Sequence, residues 1–99
     1  MSDTIELPHV LDIVAAPLLL ESFLSRRRKS LSVGAGQVQR LGAQCLQILM
    51  AARATWSADG FALEYRDPSS EFIASLELLG SSISKLSFDA ENMSGESKL

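Results

Sequence analysis

Cys45 and His9, the only cysteine and the only histidine of this 99-residue chain, are its one candidate pair of nucleophile and base. Nucleophilic catalysis needs a nucleophile with a base oriented against it. Cys45 lies on the apolar stripe of the longest helical pattern, the habit of a buried core thiol. His9 follows Pro8 at a strand edge, and nothing in the sequence aims it at Cys45. One thiol makes no internal disulfide, and no Cys/His set has zinc spacing, so neither metal nor cofactor is expected. The carboxylates of Asp12, Glu64 and Asp67 fall at a strand end, in a strand and at a helix start. Helix capping accounts for Asp12 and Asp67 without invoking acid–base work. Gly34-Ala35-Gly36 is followed by no Lys-Ser/Thr pair and reads as a turn rather than a phosphate loop. No catalytic residue is assigned, and the chain reads as non-enzymatic.

Composition narrows the class further. Apolar residues at 46% and charged residues at 21% describe a globular protein, and the length allows one domain with one core. The net charge of −3 gives no footprint for nucleic acid. The basic run Arg26-Arg27-Arg28-Lys29 sits where a helix should end, and cations there complement the helix dipole. The longest apolar stretch, Ile13 to Leu20, contains Pro17 and is far short of the roughly 20 residues of a membrane span. No basic segment followed by an apolar run opens the chain. A cytoplasmic protein with no direct membrane insertion is expected, and the single cysteine suits a reducing compartment. The terminal Ser97-Lys98-Leu99 matches a peroxisomal address tag, which we read as chance.

The elements that must position any site alternate. Thr4 to Leu7 has strand periodicity, Pro8 interrupts it, and Val10-Leu11 reads as a second extended piece. A helix is expected from about Ala15 to Arg27, with Pro17 in its first turn. Ser30 to Val33 reads as a strand. Val38 to Trp56 reads as the longest helix, with Cys45, Ile48, Leu49, Ala52 and Trp56 on one stripe, widened by Leu46 and Met50. Gln44, Gln47, Ala51 and Thr55 fall on the other side. Ser57 to Gly60 is a stop signal, and Phe61 to Tyr65 reads as a strand. Asp67 and Pro68 suit the cap and first position of a helix that ends at Gly80. Ile83 to Phe88 fits either a short strand or a helix. Residues 1–88 form the expected domain and 89–99 a C-terminal tail. The order implies an α/β fold: a small, mostly parallel sheet of about four strands, packed by three to four helices.

Several short segments, taken together in order and spacing, resemble STAS domains, the fold of anti-sigma factor antagonists. They are Val10-Leu11-Asp12, Val38-Gln39-Arg40-Leu41-Gly42-Ala43-Gln44, Asp59-Gly60 and Asp67-Pro68-Ser69. The likeness extends over about residues 4 to 88. The runs Val38 to Gln47 and Ala54 to Gly60 are similar to those of STAS-like proteins encoded in alphaproteobacterial chemotaxis gene clusters.

The resemblance implies a docking protein. Phosphorylatable STAS domains carry Asp-Ser-Ser/Ala-Gly at the start of the long helix, where this chain has Arg40-Leu41-Gly42-Ala43. Leu41 stands at the acceptor-serine position, so no phosphorylation site is expected there. The family's partner-binding edge maps onto Gln39, Arg40, Leu41, Gln44 and Gln47. Arg40 would attract an acidic side chain or a phosphoryl group, and Leu41 would add apolar contact. The partner this implies is a chemotaxis histidine kinase or response regulator. The alternatives are a lipid-transport ABC ATPase, which the chain would serve as its STAS subunit, or an anti-sigma factor antagonist role without its switch.

Overall fold

A computed structural model describes residues 2–90. The elements run β1 (Ser2–Glu6), β2 (Val10–Leu11), α1 (Ala16–Leu24), β3 (Ser30–Gly34), β4 (Arg40–Leu41), α2 (Ala43–Asp59), β5 (Leu63–Arg66), α3 (Ser70–Leu78) and α4 (Ile83–Leu86). β1, β3 and β5 form one sheet in that order, and β2 pairs with β4; every one of these pairs is parallel. The α/β class with a small parallel sheet and four helices is as expected. The single sheet of about four strands is instead a three-stranded sheet and a two-stranded ladder. Pro8 supplies the physical reason. It has no N–H to donate, so the β1 ladder ends after the Leu7 N–H bond to Gly34 O. Pairing resumes when the N–H groups of Gln39 and Arg40 reach His9 O at 2.7 and 3.2 Å.

Strand periodicity puts Leu31, Val33, Leu63 and the partly buried Ile5 and Tyr65 against the core. The opposite face carries Glu6, Ser32, Glu64 and Arg66. There the Arg66 guanidinium donates to Ser32 Oγ and pairs with Glu6 at 3.0 Å. Gly34 lies under that pair, and a Cβ at this position would run into the Glu6 carboxylate.

α2 buries Cys45, Leu46, Leu49, Ala52 and Trp56, close to the expected stripe. Ile48 is half-buried and Met50 is exposed. The Trp56 indole meets Phe23 edge-on at 5.8 Å and donates from Nε1 to Lys29 O at 2.7 Å. Gly60, at φ 80°, closes the helix by donating to Trp56 O. That conformation is open to glycine at no steric cost, as the stop signal required.

Three local expectations are corrected. The long helix begins at Ala43 rather than Val38, because Val38 and Leu41 are both buried from extended backbone and Arg40-Leu41 pairs with β2. α1 ends at Leu24 rather than Arg27, and Leu18 is exposed. α3 is capped by Ser69, whose Oγ accepts from Phe72 N–H at 3.0 Å and donates to Val38 O. Asp67 does not cap it. It stands two residues ahead of the N-cap and takes a positive φ of 49°, whereas the capping position needs the extended backbone that Ser69 has. The ambiguous segment from Ile83 is both things at once: α4 over Ile83–Leu86, then an antiparallel bridge from Phe88 to Leu63. The tail proposed for 89–99 lies, from residue 91 onward, outside the described residues, as does Ser97-Lys98-Leu99.

Tyr65 stacks on Phe72 at 6.3 Å, and its buried hydroxyl has no hydrogen-bond partner among the described residues. An unsatisfied buried hydroxyl costs about 1–3 kcal/mol of desolvation. Tyr65→Phe removes the hydroxyl and keeps the stacked ring. It is expected to leave stability unchanged or raise it by about 1 kcal/mol, read from the urea midpoint.

Candidate functional site

The expected docking residues surround the N-terminus of α2. β4 and the residue before it deliver Gln39, Arg40 and Leu41; α2 delivers Gln44 and Gln47. Gly42, in extended backbone, stands at the N-cap and donates to Leu11 O at 2.8 Å, tying the start of the helix to β2. No side chain caps α2, and its first turn holds no acid. Gln39, Arg40, Gln44 and Gln47 are all exposed. Leu41 is only 9% exposed and belongs to the core cluster. The contact area expected of Leu41 is therefore corrected: strand alternation turns Arg40 outward and Leu41 inward. Arg40 also lies in β4, so it does not continue the helical face of Gln44 and Gln47; the three share one end of the fold instead.

The Arg40 guanidinium makes no hydrogen bond or ion pair with the described residues. It stands beside the helix end whose free N–H groups favour negative charge. A cation and an uncapped N-terminus on one exposed edge suit an acidic partner group. His9 lies on the same rim, exposed, with Nε2 2.9 Å from Gln37 Oε1. The sequence reading left His9 and Gln37 off this edge, because only the β2–β4 pairing brings them to it. No serine, threonine or tyrosine occurs between Val33 and Ala54. The segment that supplies Gln39, Arg40, Gln44 and Gln47 therefore has no hydroxyl for a kinase, while Ser69 reaches the same segment from the start of α3 by donating to Val38 O.

The other candidate groups do not converge. Cys45 is fully buried and donates from Sγ to Asp12 O at 3.3 Å. Burial, and secondarily the Asp12 charge, push its thiol above the ordinary range. A buried thiol held neutral is a poor nucleophile. Asp12 caps the turn before α1, accepting from the N–H groups of Val14 and Ala15 at 3.1 Å. Glu64 is exposed on the outer sheet face. Among the described residues no cluster of three or more His, Cys, Asp or Glu could hold a metal ion. Among them, too, no helix is long and apolar enough to cross a membrane. Three cavities lined by described residues measure about 110, 290 and 210 Å³. All fall below the roughly 300–1,000 Å³ of small-molecule sites.

Burial also raises the phenol of Tyr65. Thiol and phenol alike hold their protons more firmly in the folded chain, so the unfolded chain releases them first as pH rises. Their contribution is complete below about pH 8.5, the ordinary thiol value, and declines through the thiol and phenol ranges above it. Urea midpoints measured from pH 7 to 10.5 are expected to fall on the alkaline side, and less steeply in Cys45→Ala/Tyr65→Phe. Equal slopes for the two proteins would refute this account.

With the fold and edge defined, the family can be assigned. A family model described as "Mlab, STAS domain" matches residues 2–86, nearly the whole described chain. The chain belongs to the STAS family. No curated protein and no solved structure gives a match. STAS domains are in general binding domains with a regulatory role, and Gln39, Arg40, Gln44 and Gln47 of this STAS domain are polar and exposed.

Proposed function

We propose that this STAS domain is a non-enzymatic regulatory adaptor of a bacterial chemotaxis phosphorelay. It docks on a histidine kinase or response regulator through Gln39, Arg40, Gln44 and Gln47. The observation that supports this reading is the unpaired Arg40 guanidinium beside the uncapped start of α2, in a stretch from Gly34 to Arg53 with no hydroxyl to phosphorylate. Phosphorelay proteins present carboxylates and phosphoryl groups at their reactive surfaces, and a fixed cation beside a helix N-terminus complements both. The absence of a switchable hydroxyl fits a constitutive partner rather than an anti-sigma antagonist cycle. It fits equally the STAS subunit of a lipid-transport ATPase, the second reading.

The test is titration of the purified chain against the chemotaxis kinase and response regulators of its own source, with the transport ATPase as comparison. Saturable binding to a kinase or regulator supports the adaptor. Binding to the ATPase alone replaces it with the second reading.

A further inference from the structure

Independently of the α2 edge, the outer side of β1 is open. β1 is the edge strand of the β1-β3-β5 sheet. Its register sets Glu6 opposite Gly34, and Gly34 O accepts from Leu7 N–H. That pattern turns the backbone groups of Asp3, Ile5 and Leu7 toward β3 and those of Thr4 and Glu6 away from it. Asp3 covers one of the outward groups: its Oδ1 accepts from Thr4 N–H at 3.0 Å, while its Oδ2 holds Arg26. The N–H and C=O of Glu6 have no hydrogen-bond partner among the described residues. A strand edge left bare in this way is a template for another extended segment.

Beside the bare half of the strand lies an apolar hollow of about 110 Å³ between β1 and α1. Its walls are Ile5, Leu7, Ala15, Leu18, Leu19 and Ser22, and Glu6 borders it. Leu18 is 69% exposed there. The hollow is too small for a drug-sized ligand, but it is on the scale of the roughly 150 Å³ apolar cavities that admit a benzene ring. A strand added to β1 would set every second side chain on the side of Ile5, which is the side of the hollow. One aliphatic side chain fits it.

Charge selects the rest of the occupant. The cations that reach β1, Arg26 and Arg66, are already paired, with Asp3 and Glu6. Arg28 and Lys29 stand in the turn into β3, at the Ser2 end of the sheet, whereas the hollow lies at the Glu6 end. The carboxylates beside the hollow hold no cation among the described residues. Asp12 is exposed, and its carboxylate accepts only from the N–H groups of Val14 and Ala15, the second of which lines the hollow. Glu21 is exposed, adjoins Ser22 on the same wall and makes no ion pair there. Two acids about an apolar hollow suit a basic segment. A second copy of β1 suits it poorly, because Ser2 to Glu6 carries two acids and no base.

We propose that the outer edge of β1 takes an extended segment of a partner protein, with a base, an aliphatic residue and a second base at alternate positions. The segment pairs its backbone with Glu6, its aliphatic side chain enters the hollow, and its bases reach Asp12 and Glu21.

The probe is the acetylated and amidated heptapeptide Thr-Lys-Thr-Leu-Thr-Lys-Thr, titrated into the isotope-labelled full chain and followed by NMR. A Kd of about 0.1–1 mM is expected. The Glu6 amide should shift, and its hydrogen exchange should slow about fivefold or more at saturation. Methylating all the peptide nitrogens, exchanging both lysines for glutamate, or exchanging the leucine for glycine should each weaken binding about tenfold or more. On the protein, Asp12→Asn/Glu21→Gln should weaken it about three- to tenfold. Leu18→Gln is an independent second version; all three positions are exposed, so these variants should keep the fold. No shift of the Glu6 amide at about 5 mM peptide, well above the expected Kd, would overturn the proposal. So would binding indifferent to backbone methylation or to the exchange of lysine for glutamate. A Glu6 amide that shifts with the concentration of the chain alone would also overturn it, making the occupant a second copy.

Discussion

Trp56→Ala is expected to unfold most of the chain at room temperature. The indole is 1% exposed, fills the space between α1 and α2, and meets Phe23 edge-on. Removing a buried aromatic side chain from a core costs about 3–5 kcal/mol. The loss also strands the carbonyl of Lys29, which accepts from the indole N–H at 2.7 Å. A domain of this length has a total stability of about 5–15 kcal/mol, and a small core places it near the low end. The two quantities are comparable, so the variant should show little or no cooperative urea transition. Trp56→Phe keeps one aromatic ring but loses the hydrogen bond and part of the buried volume, so it should fold with a lowered midpoint. A Trp56→Ala protein with a near-wild-type midpoint would show that the α1–α2 contact is not the centre of the core.

Arg40→Glu is expected to weaken partner binding by about 10- to 100-fold, or about 1.4–2.7 kcal/mol, with no change in stability beyond about 0.5 kcal/mol. The two effects separate because the side chain is exposed and makes no hydrogen bond or ion pair with another described residue. Reversing its charge thus removes nothing from the fold. It places an acid beside the free N–H groups of α2, so the helix gains slightly while an acidic partner is repelled. The loss should appear mainly in the association rate, and wild-type association should slow with added salt. Calorimetric or surface-based titration against the kinase, paired with urea melts of both proteins, measures both. Unchanged affinity would remove Arg40 from the interface; a lowered melt would make its role structural.

Much of the fold was legible in the sequence because local chemistry and tertiary demand agree there. Cys45, Leu49, Ala52 and Trp56 keep helical spacing and are all buried. Pro17 sits in the first turn of α1, and Gly60 and Gly80 occupy the left-handed positions after α2 and α3. Where the reading failed, a tertiary contact overrode a local pattern. Val38 to Leu41 has residues acceptable in a helix, yet it is extended because its backbone groups meet those of His9 and Leu11. Asp67-Pro68 has the composition of a helix start, but the usable cap is Ser69, which also reaches Val38 O from across the fold. The candidate edge divided in the same way. Gln39, Arg40, Gln44 and Gln47 are outward, while Leu41, adjacent in sequence to Arg40, is turned into the core.

The sequence by itself determined the α/β order, the STAS likeness, the lack of a hydroxyl from Gly34 to Arg53 and the burial of the lone thiol. These are properties of composition and of strand and helix periodicity, carried by neighbours along the chain. Only the tertiary structure decided that strands β2 and β4 pair apart from the main sheet, and that His9 and Gln37 share the rim with Arg40. It likewise decided that Arg26 and Arg27 are paired while Arg28 and Lys29 make no ion pair among the described residues, and that Ile13, Leu20 and Leu24 are exposed. Each of these depends on which residues meet across long stretches of chain, as Asp59 meets Arg27 and Asp3 meets Arg26. No local pattern encodes such a meeting.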